Sequence, residues 1–236
     1  MTEHIDASQG VAANDYIQDD WDTYRQLDIL TNHWDRPGWT PGRRSYHWIL
    51  SVANVPKLPA LATQCQAQLR DIPTLDFVPV TSLHITLQRA AFTDEMTPNQ
   101  VADMVGAASM RCAAIPPPTL QIGPLAGSAG AVRFSVGPHA PLHEIRSAVR
   151  SAVADVRDTR TVPGRKADFI PHVSIAYSNA VTSAQPVIER VAALRSTGCV
   201  AADIHAVDLV ELRRDGRSYI WQPVATVPLR GASSSA

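Results

Sequence analysis

Two short peptides in this chain share one pattern: Leu83-His84-Ile85-Thr86-Leu87 and Pro171-His172-Val173-Ser174-Ile175, with the histidines 88 positions apart. Each reads histidine, apolar, hydroxyl, apolar. Successive side chains on a β-strand alternate between faces. His84 and Thr86 therefore share one face and Ile85 and Leu87 the other, while His172 pairs with Ser174 and Val173 with Ile175. Ser82 and Gln88 extend the polar face of the first segment and Leu83 its apolar face. Of the 8 histidines only these two have a hydroxyl residue two positions on; His4, His33, His47, His139, His143 and His205 do not. The chain must build two half-buried strands, each presenting an imidazole beside a hydroxyl.

The surroundings of the motifs also repeat. A strand near Tyr46 to Val52 leads to a helix with Leu58, Leu61, Cys65 and Leu69 on one face, then to the His84 strand. The next helix opens with Thr97-Pro98-Asn99-Gln100, a hydroxyl cap with proline first and glutamine third, as in a capping box. The second pass starts with a strand near Val132, and its helix, announced by Pro141, carries Leu142, Ile145, Val149 and Val153. The His172 strand follows, then a helix capped by Ser183. Tyr46 to His84 spans 38 positions and Val132 to His172 spans 40. This matching order predicts duplicated strand–helix–strand–helix units over about 46–113 and 131–196, within one bilobal domain over 46–230.

Pro116-Pro117-Pro118 marks the boundary between the passes. A strand from Thr119 to Leu125 should form a hairpin through Gly127–Gly130, and Asp215-Gly216 should turn Val207–Arg213 into Tyr219–Val227. Residues 1–45 form an extension: polar and frayed over 1–14, helical from about Asp15 to Asn32 with Ile17, Trp21, Tyr24 and Leu27 in register, then rich in Pro, Gly, Trp and Arg. Residues 231–236 read as a flexible tail. The expected fold class is α+β, with mostly antiparallel strands in two lobes.

With 45% hydrophobic and 18% charged residues among 236, the chain has ample material for a core. A formal net charge of −1 gives no global field to attract long duplex nucleic acid, although a small nucleotide or strand end needs only a local cationic patch. Cys65, Cys112 and Cys199 are odd in number and widely spaced, which suits free thiols in the cytoplasm. No stretch reaches membrane-span length. The expectation is a cytoplasmic monomer that needs no cofactor.

Two imidazoles near neutral pKa can serve as base and acid in cleaving a phosphodiester or opening a cyclic phosphate. Thr86 and Ser174 would bond the non-bridging oxygens as negative charge builds. By microscopic reversibility the same groups can join ends without ATP. The sequence does not distinguish acid from base. The histidines lack the clustered carboxylates of a zinc or di-metal site, Asp168 being the one acid close to His172, so no metal is expected. Arg43, Arg44 and Arg89 are candidates for phosphate binding or solvated arginines. Arg89 and Tyr177, each five beyond a histidine, fall on the opposite face if the strand is regular. Trp34 and Trp39 either stack on a base or pin a loop, and Trp221 reads as core or cleft wall.

His84-Ile85-Thr86-Leu87 and His172-Val173-Ser174-Ile175 resemble the paired HxTx/HxSx motifs of the 2H phosphoesterase superfamily, which includes 2′-5′ RNA ligase-like proteins and cyclic nucleotide phosphodiesterases. Arg36-Pro37-Gly38-Trp39, Gly42-Arg43-Arg44, Phe169–Tyr177 and Tyr219-Ile220-Trp221 are similar to bacterial members of the 2′-5′ RNA ligase family. The resemblance covers about 34–230. Ser174 replaces the commoner threonine. The resemblance implies pseudo-twofold symmetry, helices on the outer faces and a central cleft into which both histidines point. It implies catalysis by His84 and His172 on a small nucleotide or RNA end. Alternatives are an enzyme for a specialised small phosphoester and a catalytically silent nucleotide-binding module, although a silent module need not keep all four motif residues.

Overall fold

The computed structural model describes residues 8–164 and 169–231. The chain begins with helix α1 (Ser8–Tyr24), strands β1 (Ile29–Leu30) and β2 (Arg44–Ser51), and helix α2 (Leu58–Ala67). Strands β3 (Leu75–Phe77) and β4 (His84–Phe92) and helix α3 (Pro98–Cys112) follow. Then come β5 (Thr119–Ser128), β6 (Ala131–Gly137), α4 (His139–Val156), β7 (His172–Ser178), β8 (Thr182–Ser183) and α5 (Gln185–Leu194). Strands β9 (Val200–Asp203), β10 (Ala206–Asp215) and β11 (Ser218–Pro228) close the fold.

A four-stranded sheet, ordered β11-β10-β2-β4, carries His84 on its β4 edge, and a five-stranded sheet, ordered β3-β7-β6-β5-β9, carries His172. All described strand pairs are antiparallel. The helices cross between the sheets: α2 leaves β2 yet packs on β7, and α4 leaves β6 yet packs on β4 beside α3. This exchange locks the sheets together where β4 and β7 meet.

Alternation along each motif strand places the apolar set in the core. Leu83, Ile85, Val173 and Ile175 have no exposed surface, whereas His84, Thr86, His172 and Ser174 are partly exposed. The helix faces read from 3.6-residue spacing are also buried: Leu58, Cys65 and Leu69 below α2, and Leu142, Ile145, Val149 and Val153 on α4. Burial of such a side chain contributes about 1.5–3 kcal/mol. The Thr97 capping box is complete, its hydroxyl accepting from the Gln100 backbone N–H while the Gln100 side chain accepts from the Thr97 N–H.

Helix α1 packs on the cleft face of the five-stranded sheet. Ser135 and Arg133 are the cross-strand partners of His172 and Ser174, and such partners share a face. Asp20 pairs with Arg133 and accepts from the Ser135 hydroxyl. Gly127 and Gly137 leave bare backbone beneath α1: a Cβ on either would collide with the ring of Tyr24 or Tyr16.

Several expectations need correction. Residues 8–14 are helical, because Ala12 and Ala13 favour helix more than the polar reading allowed; residues 1–7 lie outside the described residues. Helix α1 stops at Tyr24, since Ile29 and Leu30 pair with Ser183 and Thr182 as strand. Ser183 lies in β8 and Ala184 precedes α5 with no side-chain cap. The expected tail beyond Gly231 and Asp168 lie outside the described residues.

Candidate active site

The two sheets enclose a cleft of about 860 Å³ whose lining includes His84, Thr86, His172 and Ser174. The Nδ1 of His84 lies 2.7 Å from the Ser82 carbonyl, and that of His172 lies 2.8 Å from the Ile170 carbonyl. A carbonyl oxygen only accepts, so each Nδ1 carries the proton and each Nε2 is left for the cleft. In both cases the acceptor stands two residues upstream, so both rings are held in the same way. The Trp221 ring stands edge-on to His84, with centroids 6.4 Å apart.

The two imidazoles differ electrostatically. Burial lowers the His84 pKa, and the bond to the Ser82 carbonyl partly opposes this. Burial, then the Arg133 charge, pushes His172 down to about 3, and the His84 and Arg36 charges push the same way against the Ile170 carbonyl. His172 is held neutral more firmly than His84.

Arg89 and Tyr177 also line the cleft. Neither strand stays regular. Ile49 pairs with Thr86 and Trp48 with Gln88, so Leu87 is an extra residue in β4. Arg133 pairs with Ser174 and Val132 with Ala176, so Ile175 is an extra residue in β7. Each bulge resets the alternation one position after the hydroxyl and returns the fifth residue to the histidine's face.

Trp39 reaches the cleft, standing edge-on to Phe92 with centroids 5.4 Å apart and beneath the Arg214 guanidinium. Arg43 and Arg44 are corrections: neither lines the cleft. Arg43 bonds Asp94, Glu95 and the Gly38 carbonyl and stacks on Phe92, while Arg44 bonds Glu211. Carboxylates distant in sequence hold both side chains. Trp34 pins its loop: its indole donates to Asp76 and its carbonyl accepts from Arg214.

The cleft also gathers residues that belong to neither motif. His33 and His47 lack the hydroxyl at the second following position, yet both line it with Arg36, Arg146 and Tyr219. Arg36 donates through Nε to the His33 carbonyl and through Nη2 to His33 Nδ1. A guanidinium only donates, so His33 Nδ1 is bare and its Nε2–H points at the Tyr219 hydroxyl, 3.1 Å away. The His33 ring also stacks on Tyr177, with centroids 3.9 Å apart. The Arg36-Pro37-Gly38-Trp39 run was visible in the sequence; its cleft contact was not. Among the described residues no group of three or more His, Cys, Asp or Glu is arranged to hold a metal ion, and no helix is long and apolar enough to cross a membrane.

Comparison with known proteins places this arrangement. The family model of the 2′-5′ RNA ligase superfamily matches residues 55–216, and the chain belongs to that superfamily of 2H phosphoesterases. TT0787 of Thermus thermophilus has a similar fold at 14% identity with a TM-score of 0.61, covering 80% of this chain and 99% of its own. LigT of E. coli, solved in complex with 3′-AMP, has 14% identity and a TM-score of 0.60, covering 79% of this chain and 98% of its own. A protein of unknown function from Agrobacterium tumefaciens, ATU0111, has 13% identity and a TM-score of 0.51, covering 72% of this chain and 80% of its own. No curated protein matches the sequence.

Proposed function

We propose that this chain is a metal-independent phosphodiesterase that acts on a 2′,3′-cyclic phosphate, a 2′-5′ phosphodiester or a related nucleotide or RNA-end substrate. The observation that carries the reading is the matched tethering of His84 and His172. Both Nδ1–H groups are tied to carbonyls, and both rings line one cleft with Thr86 and Ser174. The neutral Nε2 of His172 takes a proton from the attacking water as the new P–O bond forms. Protonated His84 gives its proton to the departing alkoxide as the old P–O bond breaks. The deeper depression of the His172 pKa supports this division of roles. Thr86 and Ser174 donate to the non-bridging oxygens, where charge accumulates at five-coordinate phosphorus. With a 5′-hydroxyl in place of the water, the same two proton transfers open a cyclic phosphate and join the two ends, the new P–O bond forming as the ring P–O bond breaks. The 3′-AMP complex of LigT supports a nucleotide substrate.

The test is turnover in EDTA of a panel of 2′,3′-cyclic nucleotides, 2′-5′ dinucleotides and RNA ending in a cyclic phosphate. Product from at least one, lost in His84→Ala and His172→Ala, is expected. No turnover of any, with nucleotide binding intact by calorimetry, would identify a silent binding module instead. The protein is proposed to work as a cytoplasmic monomer with no membrane or long-duplex partner.

A further inference from the structure

The cleft holds more positive charge than one phosphate requires. Its described lining has three guanidiniums, Arg36, Arg89 and Arg146, against one carboxylate, Asp35. Arg146 is committed to the Leu87 carbonyl and lies over the Phe169 ring. Arg89 differs: among the described residues it forms no ion pair, and its guanidinium lies 4.9 Å from the Phe92 centroid. Glu95, whose charge acts on it, bonds Arg43 and Arg157. The cross-strand partner of Arg89 is His47, whose Nε2 is buried without a hydrogen-bond partner among the described residues. A buried polar nitrogen left unpaired costs about 1–3 kcal/mol, and a turn of the His47 ring toward the cleft it lines would give that nitrogen a ligand oxygen as partner. Arg36 stands at the exposed rim of the same region, and its charge acts on both His47 and Arg89. The two bonds to His33 occupy Nε and Nη2 of Arg36 and leave its Nη1 end for a ligand.

We propose that Arg36, Arg89 and His47 form a second anion subsite beside the His84/His172 pair, which takes a second phosphate of the substrate. The substrate is then a nucleotide or RNA end carrying at least two phosphates, an assignment that rests on the phosphodiesterase reading above. Because Leu87 is an extra residue, Arg89 lies two register positions beyond Thr86, about 7 Å along the strand, and its side chain can reach back toward the scissile group. His33 holds Arg36 in place through its carbonyl and its Nδ1. The subsite is one-sided: at the position matching Arg89 the other lobe has Tyr177. Arg36 and His47 precede residue 55, where the family match begins, so two of the three groups come from a segment that the match does not include.

Calorimetry with adenosine 3′-monophosphate and adenosine 3′,5′-bisphosphate at low salt tests this without requiring turnover. The bisphosphate should bind wild-type protein about tenfold tighter or more, the effect of one added charge-assisted contact. That ratio should shrink to roughly threefold or less in Arg89→Met and in Arg36→Met, and largely survive in Arg89→Lys. Circular dichroism confirms that each variant is folded. Equal affinities in the wild-type protein overturn the subsite whatever the variants do, as does a ratio unchanged in both methionine variants. Catalysis is read separately: turnover with a ratio of one sinks the subsite alone, and a preserved ratio without turnover sinks the phosphodiesterase reading alone.

Discussion

Arg89 and Tyr177 each stand five residues beyond a cleft histidine, and each faces the cleft because a bulge has added one residue to its strand. In a regular strand an odd offset points away from the histidine. The bulges fall at Leu87 and Ile175, directly after the two hydroxyl residues, so both lobes use one device to bring a third side chain to the cleft. What they bring differs: a cation on one side, a phenol stacked on His33 on the other. The backbone is pseudo-symmetric and the chemistry is not, which suits an asymmetric substrate with distinct ends.

Removing either imidazole should abolish turnover. His84→Ala and His172→Ala each delete one proton-transfer group while leaving the buried Ile85 and Val173 faces untouched, so the far-ultraviolet circular dichroism should match wild type. Thr86→Ala and Ser174→Ala remove one hydrogen bond to developing charge and should lower kcat by about 10- to 10³-fold. Steady-state kinetics on any substrate that turns over checks all four. Full activity in a histidine variant contradicts the assignment.

The pH profile follows from the unequal imidazoles. The proposed division of roles requires neutral His172 and protonated His84 at the same time. Since His172 is pushed down to about 3, it is neutral above that pH. His84 is lowered below 6.5, so it loses its proton on the acid side of that value. The profile of kcat/KM reports the free enzyme, and its alkaline limb should fall at a pH below 6.5. In Arg36→Met a charge that depresses His172 is gone, and the acid limb should move up in pH. A profile flat from roughly pH 5 to pH 8 would show that these histidines do not divide the work.

The motif strands could be read from sequence because alternation is local: Leu83 to Gln88 states its own faces. The same holds for the α3 capping box and the hairpin at Gly216. What depended on distant partners could not be read. Whether Leu87 is in or out of register is decided by β2, some forty residues earlier. Arg43 and Arg44 looked free because Asp94, Glu95 and Glu211 lie far along the chain. Strands β1, β3, β8 and β9, two to four residues long, are too short to show a period. His33 and His47 enter the cleft through tertiary placement, and no neighbouring hydroxyl marks them.

The docking of α1 can be broken at one ion pair. Asp20 and Arg133 are almost completely buried, with side chains 5% and 6% exposed. Asp20→Ala leaves a guanidinium buried without its partner and removes the acceptor of Ser135, which should cost about 3–5 kcal/mol. Urea unfolding of the variant should show that loss. Gly137→Val should destabilise by a different route, because its side chain would occupy the space of the Tyr16 ring. A loss below about 1 kcal/mol in Asp20→Ala would mean that α1 is held by other contacts.

Three cleft histidines make the fold sensitive to acid. His33, His47 and His172 are each pushed down to about 3, with burial the leading cause. Between pH 3 and 6.5 the unfolded chain protonates these rings while the folded chain keeps them neutral, so the unfolded state binds more protons. Stability therefore rises with pH across that window, is fully present above 6.5, and is lost as pH falls toward 3. Each ring contributes a slope of at most about 1.4 kcal/mol per pH unit. Thermal unfolding should show the midpoint falling steadily as pH drops below 6.5. The fall should be shallower in His47→Phe, which removes one proton site and its unpaired Nε2. An unchanged slope in that variant would show that His47 takes up no proton on unfolding.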